Sequence, residues 1–280
     1  MDDSKIKACK YCNDKGYSYD AEINGPAICR CIKKKCVCAN ENNNLIYNPK
    51  TNAYRSCDCK LIRTKINKIK TIFKTADIPE KYQWKFIKHF EMLDSANKTI
   101  PNIENFSTII ENVIENYSNP NKRRGIVFWS ELTGSGKTLA AAIILNTLIF
   151  EHAATAKFIK LSSDYFGRLK NSYKSFAFND SDYYSRENER DIIKDLINYD
   201  ALVIDDFGTQ RGTDWEKEKL YELIDGRNDN KKITIITSNK NFSAIEIEAL
   251  TDRILSRIIE MCIIYAVKTP CYRQKFFEKL

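Results

Sequence analysis

The run Gly134-Ser135-Gly136-Lys137-Thr138 lies between two apolar stretches, Gly125-Ile126-Val127-Phe128-Trp129 and Leu139 to Phe150. That order constrains the fold more than any other feature of the chain. A buried strand, a glycine turn and a buried helix together aim backbone amides at one point on a helix N-terminus, which is an anion site. The head of the run departs from G-x-x-x-x-G-K-[ST], because Glu131 stands where the pattern has its first glycine. A carboxylate facing phosphate would repel it, so the Glu131 side chain is expected to turn toward solvent or a basic neighbour.

Further short apolar runs follow at helix-length intervals: Phe158–Leu161, Ala201–Asp206, Ile233–Asn239 and Ile263–Val267. Short buried strands separated by helices predict an α/β fold with a parallel sheet covered on both faces. In such sheets ligands bind at the carboxyl ends of the strands. The glycine turn and the pair Asp205/Asp206 both fall there, about 65 residues apart. Thr133, Gly134, Ser135, Gly136, Lys137, Thr138 and Leu139 are therefore expected to bind ATP or ADP. Lys137 supplies positive charge to the terminal phosphates. The Thr138 hydroxyl and Asp205 hold Mg²⁺, and Asp206 orients the attacking water. The competing reading is a plain glycine turn with a surface acidic pair.

Eight of the ten cysteines form four close pairs, Cys9/Cys12, Cys29/Cys31, Cys36/Cys38 and Cys57/Cys59. They make a loose repeat, with gaps long enough for a hairpin to return the second pair of each unit to the first. Four thiolates in two close pairs suit tetrahedral zinc. A disulfide framework fits poorly without secretory features, and Cys9-Lys10-Tyr11-Cys12 lacks the βαβ surroundings of a redox motif. Two structural zinc ions are expected, held in sequential or interleaved sets, over a cysteine-rich domain of residues 1–60. Cys262 and Cys271 read as core and loop residues.

Charge is uneven. Residues 1–75 carry 16 Lys+Arg against 7 Asp+Glu, and residues 76–280 carry 29 against 30. Two zinc ions and eight thiolates would lower the net +9 of the first part to about +5. A basic appendage suits an acidic partner, although an AT-rich coding bias also enriches lysine. Residues 61–75 predict a basic amphipathic helix with Leu61, Ile62, Ile66, Ile69 and Phe73 on one face. Pro79 follows, so a boundary near residue 76 is expected, with the nucleotide domain over 76–280. The segment 162–198 interleaves Tyr165, Phe166, Tyr173, Phe176, Phe178, Tyr183 and Tyr184 with Arg168, Lys170 and Lys174. It can either stack bases or pack as ordinary helices.

These motifs resemble the AAA+ replicative-helicase loaders, the DnaC-like family that also includes transposition helper ATPases of the IstB type. The resemblance runs from about residue 76 to 275, through "DIPEKY", "GSGKT", "LVIDDFG", "GRNDNKKITIITSN" and "LTDRILSRI". It implies an AAA+ P-loop fold behind a zinc-binding module, although eight cysteines exceed what the family suggests. It also implies Asn239 as the strand-end amide that places water, Arg257 as the arginine finger reaching a neighbouring subunit, and Arg273 as a phosphate contact within its own subunit. Arg253 shares the Arg257 helix face, as an ion pair or a nucleotide contact. Asp206 in place of glutamate suits a slow switch. The partners implied are a replicative DNA helicase, gripped by the N-terminal module, single-stranded DNA, and further copies of the chain in the ATP state. No apolar run approaches bilayer length and the charged start is no signal peptide, so a soluble cytoplasmic ATPase is expected. A transposition helper and a non-hydrolysing zinc adaptor are the alternatives.

Overall fold

The computed structural model describes residues 9–34, 36, 38, 45–57, 59–90, 99–176, 188–209, 212–241 and 251–271. The chain divides into two compact units, Met1–Lys74 and Thr75–Leu280.

The first unit is built from two hairpins and a helix. Strands β1 (Tyr17–Asp20) and β2 (Gly25–Ile28) pair antiparallel, and a single helical turn, α1 (Arg30–Lys33), follows. Strands β3 (Leu45–Asn48) and β4 (Ala53–Ser56) make the second hairpin, leading into the long helix α2 (Cys59–Thr75). The α2 helix buries Cys59, Ile66, Ile69, Ile72 and Phe73. Leu61, expected on that face, is instead 80% exposed, and Ile72 is buried. Each helical residue turns about 100°, so Leu61 and Ile72, eleven residues apart, share one side of the helix, and their burial differs with position along it. The loop before β1 presses on this helix at Gly16, where φ is +80° and a Cβ would lie 2.5 Å from Ile62 Cδ1.

The second unit carries, among the described residues, a five-stranded parallel sheet. Its strands are β5 (Gly125–Trp129), β6 (Ala156–Lys160), β7 (Ala201–Phe207), β8 (Ile233–Ser238) and β9 (Cys262–Ala266), in the spatial order β6-β7-β8-β5-β9. The three inner strands, β5, β7 and β8, bury nearly every residue, as parallel strands covered on both faces must. Helices α3 (Ile103–Glu115), α4 (Lys137–His152), α5 (Gly167–Phe176), α6 (Glu189–Asn198), α7 (Asp214–Asp229) and α8 (Asp252–Met261) supply the cover. Residues Ala140 to Leu145 of α4 are all buried, including three successive alanines small enough for close approach to the sheet. Asn188, Thr213 and Thr251 cap α6, α7 and α8 by accepting the amide three residues on. A π-turn, Leu161–Phe166, joins β6 to α5.

Beneath the sheet the Arg227 guanidinium is fully buried. It donates to the carbonyls of Leu196, Tyr199 and Ile233 and to Thr234 Oγ1. Burial draws its pKa down to about 9. No carboxylate takes part in these bonds; with Ile197 O, five acceptors from the end of α6 and from β8 hold the charge. The aromatic segment divides in a way its composition does not reveal. Tyr165 and Phe166 are core residues, with the Tyr165 hydroxyl donating to Lys219 O at 2.6 Å. Lys170 pairs with Glu216 at 2.9 Å. These three are structural. Phe178, Tyr183 and Tyr184 lie outside the described residues, as do the side chains of Tyr173, Lys174 and Phe176.

Gly125 opens β5 between its two neighbours, where a Cβ would lie 2.2 Å from Thr234 O and 2.8 Å from Cys262 Sγ. Gly125→Ala is expected to cost about 2–3 kcal/mol in denaturant unfolding. Gly167→Ala, whose Cβ would meet only Ser162 O at 3.8 Å, should stay within about 0.5 kcal/mol of the parent or exceed it.

Candidate nucleotide site and metal centres

The glycine turn runs from the end of β5 into α4. Gly134 (φ +78°) and Gly136 (φ +88°) both occupy the left-handed region, where a side chain is costly. Gly136 is the N-cap of α4 and offers no side-chain acceptor, so no side chain of the cap takes the first-turn amides. Lys137 is buried, and its Nζ donates to Ser130 O at 3.0 Å, Leu132 O at 2.9 Å and Ser135 Oγ at 3.2 Å. An ammonium turned into a ring of loop oxygens, beside amides with positive partial charge, fits phosphate oxygens. Glu131 and Thr133 are exposed, and Leu139 is half-buried.

Two neighbours pin the turn. Ser130 N donates to Ser238 O at 3.1 Å. From beyond β9, the buried Thr269 hydroxyl donates to Ser135 O at 2.7 Å. Thr269 carried no local signal; it is one buried threonine in an irregular tail.

Facing the turn, Thr138 Oγ1 donates to Asp205 Oδ1 at 3.0 Å and Thr237 Oγ1 donates to the same oxygen at 2.6 Å. Thr237 also accepts the Asp206 amide at 3.1 Å. Strand β8 lies between β5 and β7, so its last residues bridge the turn and the acidic strand. Thr237 was legible only as part of the polar Thr-Ser-Asn end of an otherwise apolar strand. The register between β7 and β8 shifts between Ile204 and Phe207, and Asp206 takes φ +58°. At this bulge Asp206 leaves the regular ladder of the strand. Asp205 is buried, whereas Asp206 is exposed. Burial pushes the Asp205 carboxyl above its usual range, aided by the Asp206 charge and opposed by the two hydroxyls. A desolvated carboxylate beside a hydroxyl is the donor pair a hard divalent cation takes. Asn239 is half-buried immediately after β8.

Arg257 is remote from these residues. It sits in α8, paired with Asp225 at 2.7 Å and Glu260 at 3.1 Å. With Gly125 and Ile233, the first residues of β5 and β8, it lines a cavity of about 550 Å³. It therefore stands at the edge of the sheet opposite the glycine turn. Arg253 is exposed on the same helix. Arg273 lies outside the described residues.

The eight paired cysteines form two tetrads. Cys9, Cys12, Cys29 and Cys31 make one and Cys36, Cys38, Cys57 and Cys59 the other, each with all sulfurs within 4.8 Å of one another. The sets are sequential, not interleaved. Close sulfur pairs stand 3.6 and 3.9 Å apart in the first set and 3.1 to 3.8 Å in the second. A Zn–S bond of about 2.3 Å requires tetrahedral edges of about 3.8 Å, so both sets fit zinc, and none of these pairs is a disulfide. Backbone amides draw Cys9 down to about 7 and Cys57 down to about 6, while Cys31 and Cys38 are pushed up to about 12, by burial and by neighbouring thiols respectively. Such a split marks four thiols competing for negative charge, which a divalent cation would relieve.

The strand order, the glycine turn and the acidic strand together define an AAA+ P-loop nucleotide-binding fold. The pattern of the IstB-like ATP binding protein family matches residues 131–279, and the chain belongs to that family. It is 27% identical over 125 residues to the replicative helicase loader DnaC of Escherichia coli K12, covering 45% of this chain and 46% of that protein. The chain thus spans about half the length of the curated relatives it matches. The crystal structure of the DnaC helicase loader superposes with a TM-score of 0.53 at 24% identity, covering 68% of this chain and 100% of that one. AMPPCP-bound DnaA from Aquifex aeolicus superposes at 0.53 with 14% identity over 72% of this chain and 55% of its own. The cysteine tetrads precede the segment that the family pattern matches. No helix among the described residues is long and apolar enough to cross a membrane.

Metal analysis of the purified chain should give two zinc ions, and Cys12→Ser about one. Chelation should unfold Met1–Lys74 while leaving the parallel sheet intact, read by hydrogen exchange. For Asp205, the raised pKa means that burial penalises the charged form. The deficit is present at neutral pH and disappears as pH falls through the carboxylate range. Asp205→Asn, which keeps both acceptor bonds, should raise the melting temperature of the nucleotide-free chain at pH 7. The same change should weaken magnesium-dependent nucleotide binding by about tenfold or more, about 1.4 kcal/mol.

Proposed function

We propose that this chain is an ATP-dependent loader of a replicative DNA helicase. In this reading it binds ATP with magnesium, contacts single-stranded DNA, assembles with further copies of itself and docks on the helicase through its zinc module. The observation that carries the nucleotide reading is the convergence of Thr138 and Asp205 beside the uncapped turn of α4. Similarity to replicative helicase loaders supports the choice of partner.

Lys137 would exchange its loop carbonyls for the terminal phosphates of ATP. Thr138 and Asp205 would hold magnesium, which when bound neutralises phosphate charge. Asp206, solvent-facing on its bulge, would accept the proton of the attacking water, and Asn239 would orient that water. Arg273 would contact phosphate within its own chain.

The position of Arg257 supports action between copies. A five-residue strand rises about 16 Å, so a side chain at the start of β5 is beyond reach of the turn at its end. Arg257 would therefore serve a neighbouring copy's nucleotide, and assembly must first exchange its pairs with Asp225 and Glu260. The zinc module, rather than the nucleotide domain, would dock on the helicase. The IstB description of the matched family favours a transposition helper as the second reading.

Lys137→Ala and Arg257→Ala should each lower steady-state ATP hydrolysis by at least ~100-fold. An equimolar mixture should regain activity, because one variant supplies the arginine and the other an intact loop. No recovery would rule out delivery in trans. Capture of the replicative helicase by the full chain, lost on zinc chelation, would separate the loader from the transposition helper.

A further inference from the structure

The two cysteine units share one design, and they differ in what they present to solvent. Cys57 and Cys59 stand 28 positions after Cys29 and Cys31. At the same offset the hairpins repeat each other's hydrogen bonds. Tyr19 donates its hydroxyl to Asn24 Oδ1 at 2.6 Å, and Tyr47 donates to Asn52 Oδ1 at 2.8 Å. Glu22 N donates to Asp20 Oδ1 and Lys50 N to Asn48 Oδ1, both at 3.0 Å. Asn24 and Asn52 both take positive φ, 44° and 50°. What holds each hairpin's turn is shared.

What the hairpins present is not shared. In the first, Tyr17 is 1% exposed beneath Lys65 of α2, and Pro26 is buried opposite Tyr19. In the second, the counterparts are half-buried Leu45 and Tyr54, which is 68% exposed. All four residues of β4 are exposed. Tyr54 pairs across the strands with Tyr47, itself 48% exposed, with ring centroids 5.2 Å apart. The charge has reversed as well. Residues 17–28 hold Asp20 and Glu22 and no Lys or Arg, whereas residues 45–56 hold Lys50 and Arg55 and no acid. Lys60, at the start of α2, reaches Ser56 of the hairpin at 3.4 Å. Exposed Lys68 and Lys74 lie on the Lys60 face of that helix, which carries no acidic residue.

We infer that the β3–β4 hairpin is a stacking platform for single-stranded DNA, with bases on Tyr47 and Tyr54 and phosphates on Lys50, Arg55 and the lysine face of α2. Aromatic rings beside basic side chains bind unpaired strands because every base has a π-face and every nucleotide a charge. The bond from Tyr47 to Asn52 holds one ring in place before binding, which lowers the ordering cost. Duplex DNA buries its base faces and would leave the rings unused. The choice of DNA over RNA rests on the loader reading; the platform itself does not.

The test is anisotropy of a labelled ~20-nucleotide strand with the zinc-loaded full chain, without nucleotide or helicase. Tyr54→Ala should weaken binding by at least ~5-fold and Tyr54→Trp should restore it. Arg55→Gln should reduce the slope of log affinity against log salt by about 0.7. Glu22→Ala, on the first copy, should leave binding unchanged. Iodouracil strands should crosslink within residues 45–56. Parental affinity in Tyr54→Ala with two zinc ions retained, crosslinks confined to the second unit, or equal affinity for duplex or RNA would each overturn the inference. Because no helicase is present, failure here leaves the loader reading standing, and loss of helicase capture leaves this result standing.

Discussion

Thr237 donates to Asp205 and accepts the Asp206 amide, and the nucleotide site is organised around that one hydroxyl. It is available only because β8 lies between the strand that feeds the glycine turn and the strand that carries the acids. Were β5 and β7 direct neighbours, Thr138 and Asp205 would approach without a third group to bear the carboxylate's desolvation. The same strand supplies Ser238 O to the turn. A buried carboxylate with two hydroxyl donors is held in one orientation but kept short of a full counter-charge. This makes it receptive to a cation.

The bulge at Asp206 gives two adjacent carboxylates different surroundings. In an unbroken strand covered on both faces, both acids would be buried. The extra residue, at positive φ, lets Asp205 remain buried and sends Asp206 to water. Arg257, meanwhile, belongs to the far edge of the sheet with Asp225 and Glu260. The distance between the two edges links catalysis to assembly in the proposed mechanism.

The first unit obeys a different constraint. Its apolar core is largely one face of α2, too little to order two hairpins without added cross-links. The tetrads relieve the hairpins of that duty. The first hairpin still packs Tyr17 inward, whereas the second leaves all of β4 in solvent. Metal ligation thus leaves one copy's surface open to change in charge and aromatic content.

The sequence by itself determined the five sheet strands, the glycine turn, the helix after it and the close cysteine pairs, while the sharing of those pairs between two tetrads was decided by the structure. Apolar runs, positive-φ glycines and close cysteine pairs are local requirements, written locally. Gly134 and Gly136 meet torsional demands that almost any other residue would strain, and Cys29/Cys31 can reach one metal whatever surrounds them. Only the tertiary structure decided the rest. Thr237 and Thr269 are single polar residues whose partners lie 32 and 134 positions away, so no periodicity marks them. Leu61 and Ile72 lie on one side of α2 yet differ in burial, because burial follows what stands beside each end of the helix, not hydropathy alone. Arg257 looked like a finger from its motif, but that it stands beyond reach of its own chain's turn follows from strand order, and long-range pairing leaves no local trace in the residues it joins.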